Sequence, residues 1–197
     1  MADLAVSKKP ERVPAGCAAC VDVETTGLNP GRDEVIELAM VLFTFDRVNG
    51  NILEVVEEYT GLREPSCPIG RKARAVHGIS LQEVQGCNLD EKRVNRILYE
   101  AELLVAHNAA FDFNFVSRLF PAAVDKPWYC SMKGISWSRK GVRSKSLERL
   151  LQAHDIKLNM SLHRAGSDVQ GVVKLLSICD ESGKAYFQEM LTYGPIK

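Results

Sequence analysis

The first sixty residues alternate apolar runs with short polar turns, the pattern of consecutive strands. Strands are expected over residues 17–24, 35–45 and 52–59, separated by Asn29-Pro30-Gly31 and Asn49-Gly50-Asn51. Loops this short favour an antiparallel meander, and Asn49-Gly50 is a hairpin signal that makes the second and third strands neighbours. From Pro65 onward the apolar spacing becomes helical. Short helices are expected around residues 69–76 and between residues 90 and 99, followed by an apolar strand over residues 103–106. A helix then covers residues 110–119, with Phe111, Phe115, Val116 and Leu119 at helical spacing and Pro121 ending it. Ser146 is placed to cap a helix through Ala153, a helix over residues 165–177 buries Val169, Val172, Val173 and Leu176, and residues 183–193 add one more. Strands first, then helices with one interposed strand, predict a mixed α/β layer. Residues 1–16 are polar, carry Lys8, Lys9, Pro10 and Pro14, and show no apolar periodicity. They read as a flexible tail ahead of one domain over residues 17–197.

Composition narrows the reading. A chain of 197 residues is large enough for one well-buried domain. Lys plus Arg and Asp plus Glu both total 25, so any attraction for a polyanion must come from local patches. No apolar run reaches the roughly eighteen residues of a membrane span, and residues 1–13 lack a signal-peptide core. A soluble, cytoplasmic protein with no membrane partner is expected. Six scattered cysteines without an export signal point to reduced thiols. Cys17 and Cys20 form a C-x-x-C, but no second pair completes a zinc site.

The candidate chemistry starts at Asp22 and Glu24, two carboxylates two residues apart in the first strand. Side chains alternate along a strand, so Val21 and Val23 take one face and both acids the other. At roughly 5 Å and an effective dielectric of about 20, their repulsion is near 3 kcal/mol. A raised pKa, a basic neighbour or a bound hard metal ion would each relieve it. Asp112 follows Phe111 and Asp168 precedes Val169, which places both acids at the margins of apolar helix faces. His163 lies five residues before Asp168, about 500° around a helix, or roughly 140° from its face. The two converge only if His163 sits in the loop leading into the helix.

These residues carry a resemblance. The segments Asp22-Val23-Glu24-Thr25-Thr26-Gly27-Leu28, His107-Asn108-Ala109-Ala110-Phe111-Asp112 and His163-Arg164-Ala165-Gly166-Ser167-Asp168 occur in the order of the three motifs of the DnaQ-like, or DEDDh, 3′-to-5′ exonuclease superfamily. The resemblance spans residues 17–177. His77-Gly78-Ile79 resembles a recurrent segment of the DNA polymerase III epsilon, or proofreading, branch. The resemblance implies an RNase H-like mixed sheet of about five strands flanked by helices. It implies two divalent ions, Mg2+ or Mn2+, held by Asp22, Glu24, Asp112 and Asp168, with Asp22 bridging and His163 as general base. Two metals stabilise both the attacking and the leaving oxygen of a phosphodiester, and a histidine titrates near neutrality. It also implies substrate contacts from Thr25, Thr26, Gly27 and Leu28, with Leu28 packing on the terminal base, and from His77, Asn108 and Phe111. Asn108 is equally readable as a helix cap.

Binding the rest of a nucleic acid needs cations near the cleft. Arg139, Lys140, Arg143 and Lys145 form the densest run, with Trp137 as a stacking surface; a solvated loop is the rival reading. Many relatives carry an Asp-Thr pair after the short strand between the second and third motifs, where this chain has Trp128-Tyr129-Cys130-Ser131-Met132. Glu24-Thr25-Thr26 resembles the proofreading branch more than the oligoribonuclease branch, which usually has methionine where Thr25 stands. The expected activity is therefore hydrolysis of 3′ ends of single-stranded DNA to nucleoside 5′-monophosphates, in replication or repair. An exoribonuclease and a non-catalytic module docking nucleic acid or a polymerase are the alternatives. The branch makes a DNA polymerase subunit a candidate partner, while neither tail carries a docking motif and the oligomeric state is open.

Overall fold

The computed structural model describes residues 15–158 and 163–196. Its five strands are β1 (Ala15–Thr25), β2 (Val35–Asp46), β3 (Ile52–Leu62), β4 (Leu103–Ala106) and β5 (Trp128–Cys130). The helices are α1 (Arg71–His77), α2 (Leu81–Val84), α3 (Glu91–Glu100), α4 (Ala109–Leu119), α5 (Ser131–Gly134), α6 (Leu147–Ala153), α7 (Ala165–Leu176) and α8 (Tyr186–Tyr193). The sheet order is β3-β2-β1-β4-β5: β1, β2 and β3 form the antiparallel meander, while β4 and β5 run parallel to β1. The expected mixed five-strand α/β sheet is thus present. No helix among the described residues is long and apolar enough to cross a membrane.

Both faces of the sheet are covered. Ala19, Val21 and Val23 of β1 join Leu38, Met40 and Leu42 of β2 beneath α3 and α4, whose Val94, Ile97, Phe115 and Val116 complete that core. Ala18 and Cys20 join Ala39, Val41 and Phe43 against α7 and α8. Val21 and Val23 therefore lie in a core as expected. Asp22 and Glu24 share the opposite face, which continues a second helical layer instead of facing open solvent. Cys17 and Cys20 project to opposite faces of β1, so they cannot chelate one ion, and all six cysteines are free.

Several boundaries differ from the sequence reading. Ala15 and Gly16, assigned to the tail, already pair with Asp46 and Phe45. The Phe45 ring lies over Gly16, where a Cβ would meet it at 2.4 Å, and it continues edge-on into Phe187. The rest of the expected tail, residues 1–14, lies outside the described residues. The hairpin between β2 and β3 holds, but its loop spans residues 47–51. Only Gly50 adopts the left-handed conformation, at φ 73°, so this is not the two-residue turn that Asn-Gly usually makes. The Asp46 carboxylate instead accepts the Val48 N–H at 2.7 Å. Ser146 stands at the N-cap of α6 but caps nothing, since its hydroxyl pairs with that of Ser144.

Candidate active site

Parallel β1, β4 and β5 end at one edge of the sheet, where open α/β sheets collect their ligands. At that edge the β1/β2 ladder slips one residue between Glu24 and Thr25, pairing Glu24 with Glu37 and Thr25 with Val35. Such a bulge re-aims the strand and turns the chain out of the sheet just after the two acids. The first turn of α7 brings Asp168 to the same place. Carboxylate oxygens of Asp22, Glu24 and Asp168 lie within 4.8 Å of one another. Asp112, in the first turn of α4, is 3% exposed, so it sits inside the fold and not at a core margin. It stands outside that 4.8 Å group, yet it exerts the largest repulsion on Asp22 of any neighbouring charge. Asp22 is thus flanked by Asp112 and Asp168.

Burial raises the pKa of all four acids, and repulsion from their neighbours adds to it at Asp22 and Glu24. Burial comes first for Asp22, followed by Asp112, Asp168, Glu24 and Glu37, and raises its pKa far above the carboxylate range. Burial with Asp168, Glu37 and Asp112 lifts Glu24 to about 8. Burial lifts Asp112 to about 7, with the amides of Asp112 and Val23 pulling it partly back. Asp168 reaches about 6 through burial, restrained by the backbone and charge of His163. An all-oxygen cluster left this unneutralised matches the chemistry of a hard divalent cation.

Sequence reasoning missed Glu37. It is 1% exposed, on the face of Glu24, and its carboxylate accepts both Nε and a terminal nitrogen of Arg164 (2.7 Å) and the Ala165 N–H (2.8 Å). Arg164 is the N-cap residue of α7, so Glu37 fixes the helix start that carries Asp168. A lone acid in the apolar run Val35-Ile36-Glu37-Leu38-Ala39 is the signal that could have found it, because a buried charge must be paired. The cation beside the acids is consequently already committed to Glu37.

His163 lies just before α7, as convergence with Asp168 required. It is exposed, adopts φ 65°, and its backbone N–H donates to Asp168 at 3.4 Å. Thr25 and Thr26 are buried and their hydroxyls serve the fold: Thr25 donates to the Gly27 carbonyl, while Thr26 accepts the Glu34 N–H and pairs with the Cys67 thiol. The Gly27 and Leu28 amides have no hydrogen bond among the described residues, and Leu28 is 82% exposed. Gly27 is needed for a contact within the chain, since a Cβ there would meet the Asp33 carboxylate at 2.5 Å.

His77 departs from the expected substrate contact. It is buried, accepts the Ile79 N–H through Nδ1 at 3.0 Å, and leaves Nε2 without a hydrogen bond near the Thr25 carbonyl. Burial lowers its pKa, against the opposing pull of the Thr25 backbone. Asn108 is exposed at the N-cap of α4 and makes no side-chain cap, so the expected capping role is not seen. Phe111 is half-buried and tilts against Phe115 at 4.9 Å. Trp137 corrects another expectation: at 1% exposure, with Nε1 donating to the Ser131 carbonyl, it cannot stack on a base. Lys140 is likewise occupied, by Glu189 at 2.8 Å and the Tyr186 ring.

Comparison with known proteins agrees with this geometry. A family model described as exonuclease (RNase_T) matches residues 19–176. A PolC-type DNA polymerase III of Thermotoga maritima is 30% identical over 149 residues, covering 74% of this chain and 10% of that protein. A DNA polymerase III subunit epsilon-like protein of Rhodobacter capsulatus is 37% identical over 101 residues, covering 49% of this chain and 14% of its own length. The chain thus spans about a tenth of the PolC-type relatives. Among solved structures, exonuclease X in complex with 5′ overhanging duplex DNA superposes with TM-score 0.62 at 25% identity, over 90% of this chain and 99% of that one. Since the matched model runs from β1 through the end of α7 and so takes in all three acidic segments, the chain belongs to the exonuclease family, as a DnaQ-like 3′-to-5′ exonuclease.

Proposed function

We propose that this chain removes nucleotides from the 3′ ends of single-stranded or frayed DNA, releasing nucleoside 5′-monophosphates, with Mg2+ or Mn2+ as cofactor. The observation that carries the reading is the convergence of Asp22, Glu24 and Asp168 within 4.8 Å, with Asp112 beside Asp22. Two divalent ions held by these four residues, with Asp22 shared, would lower the pKa of a bound water and stabilise the leaving 3′-oxygen. The residues of the chain do the rest. His163, exposed beside Asp168, takes the proton of the attacking water, a role typically worth a hundredfold or more. The unpaired Gly27 and Leu28 amides hold the terminal 3′-hydroxyl, and the exposed Leu28 side chain packs on the terminal base. Glu37 and Arg164 keep the start of α7, and with it Asp168, in register with β1.

The deciding experiment incubates a 5′-labelled oligonucleotide with the protein in Mg2+, Mn2+ or EDTA. A ladder shortening from the 3′ end in metal alone supports the reading; no shortening under any metal condition refutes it in favour of a binding module. Matched DNA and RNA strands test the sugar preference, which depends on contacts at the terminal 2′ position. Exonuclease X was solved with 5′ overhanging duplex DNA, so a recessed 3′ end belongs beside the single strands. The PolC-type relatives carry the matched region within a polymerase, and we extend this to a polymerase as candidate partner, testable by co-purification.

A further inference from the structure

Beyond the acidic cluster, the same edge of the sheet holds a second construction. His107 directly follows β4, and the parallel register that pairs Cys20 with Val105, carried on two residues, sets it level with Asp22. Both of its ring nitrogens are engaged: Nδ1 with the Ser131 hydroxyl at 2.9 Å and Nε2 with the Lys145 carbonyl at 2.7 Å. A carbonyl only accepts, so Nε2 carries the hydrogen and Nδ1 accepts from Ser131. The ring is neutral, since burial pushes its pKa down. The His107 carbonyl in turn accepts the Met132 N–H at 3.1 Å and the Cys130 thiol.

His107 therefore clamps the end of β4 to β5, to α5 and to Lys145. Lys145 closes the basic segment that begins at Arg139. The far end of this segment is fixed as firmly. Trp137 is buried, its carbonyl accepts the Val142 N–H at 3.0 Å, and Gly141 makes the turn at φ 80°. Between these anchors Arg139, Arg143 and Lys145 are exposed, and their side chains make no hydrogen bond or ion pair among the described residues. A solvated loop needs no such fastening. A chain of zero net charge thus fastens, through a half-buried histidine level with Asp22, a loop that carries three exposed cations.

We propose that residues 139–145 form the track for the phosphates upstream of the scissile bond, with Arg143 and Lys145 as its principal cations and His107 as the residue that positions it. The proposal rests on the nuclease reading above and names where the strand being shortened leaves the metal site. Fixed cations following a nucleic-acid backbone bind through counterion release, without regard to base sequence.

The test separates strand binding from chemistry. A dinucleotide carries only the scissile phosphate, whereas an oligonucleotide of about 12 nucleotides also carries upstream ones. The double variant Arg143→Ala/Lys145→Ala should raise KM for the long strand roughly tenfold to a hundredfold and make the salt dependence of its binding shallower by about 1.4, at about 0.7 per phosphate. Dinucleotide turnover should stay unchanged. Anisotropy in EDTA should show the same loss of affinity without any turnover. His107→Leu should reproduce the length-dependent loss, and His107→Gln, which keeps an N–H for the Lys145 carbonyl, should restore most of it. Equal effects on both substrates, or an unchanged KM and salt slope in the double variant, would overturn the track. Failure of the wild type to cleave either substrate while the anisotropy difference persists would sink the nuclease reading and leave the track standing.

Discussion

Removing metal and raising the pH should destabilise this protein, and the acid cluster sets the size of the effect. Glu24 is lifted from an ordinary 4.5 to about 8 and Asp112 from 3.8 to about 7, while Asp22 lies higher than its usual range by burial and repulsion. In the unfolded chain all three ionise near pH 4, so between pH 4 and 8 the folded state holds more protons than the unfolded one. Stability contributed by the cluster is thus full at low pH and is lost as the pH climbs through the folded values. His77 and His107 work in the opposite direction, because burial lowers their pKa and they must stay neutral; their contribution is complete above the ordinary histidine value. The window from pH 6.5 to 8 therefore isolates the acids. Over it Glu24 alone is worth about 2 kcal/mol, from about 1.5 pH units at 1.36 kcal/mol each, and about 1–2 kcal/mol once cleft water screens it. At roughly 2–4 °C per kcal/mol for a chain of this size, the midpoint in EDTA should fall by about 2–8 °C. Divalent metal displaces the protons, so Mn2+ at about a hundred times its dissociation constant should return about 2.7 kcal/mol at pH 8 and less at pH 6.5. Thermal melts at both pH values, with EDTA or Mn2+, and with Glu24→Gln as the flattened control, measure this directly. A midpoint in EDTA that rises from pH 6.5 to 8, or a Mn2+ stabilisation independent of pH, would refute the reasoning.

Asp22→Ala should abolish turnover and lower Mn2+ affinity in calorimetry, because it removes the carboxylate that both neighbouring acids face; retained activity would exclude it as shared ligand. His163→Ala should cut kcat by about a hundredfold in single-turnover assays while leaving Mn2+ affinity near that of the wild type. An equal loss of metal affinity would make His163 a ligand and not a base. Glu37→Ala strands the Arg164 guanidinium and the Ala165 N–H, and with Arg164 one-third exposed the cost in urea denaturation should be about 2–3 kcal/mol. Glu37→Gln, which keeps an acceptor, should cost less, and a change below about 0.5 kcal/mol would show that the pair does not anchor α7.

Local pattern carried far in this chain because its elements are short and strongly punctuated. The 103–106 strand, the start of the 165–177 helix and the antiparallel pairing of the second and third strands agree with the structure, each being set by an apolar run between breakers. The four-residue helices α2 and α5 escaped, since a single turn has no periodicity to read. Ser80 and Glu83 do form a reciprocal capping box at α2, a signature that was available. Errors in the site came from side chains whose meaning depends on remote partners. Trp137 reads as a stacking surface beside basic residues until its indole is found bonded to Ser131, and Lys140 reads as a phosphate ligand until Glu189 occupies it.

By itself the sequence determined the one-sided placement of Asp22 and Glu24, through the two-residue period of a strand, and the order of the acidic segments that marks the family. It also determined that His163 must precede its helix to approach Asp168, because helical rotation forbids the alternative. Only the tertiary structure decided that three acids from strand and helix meet within 4.8 Å, that Asp112 reaches Asp22 from α4, and that Glu37 takes the cation nearest to them. Charge neutralisation is a property of distances, and those distances join residues as far apart in the chain as Glu37 and Arg164. No periodicity reports them until the parallel strands bring their ends to one edge.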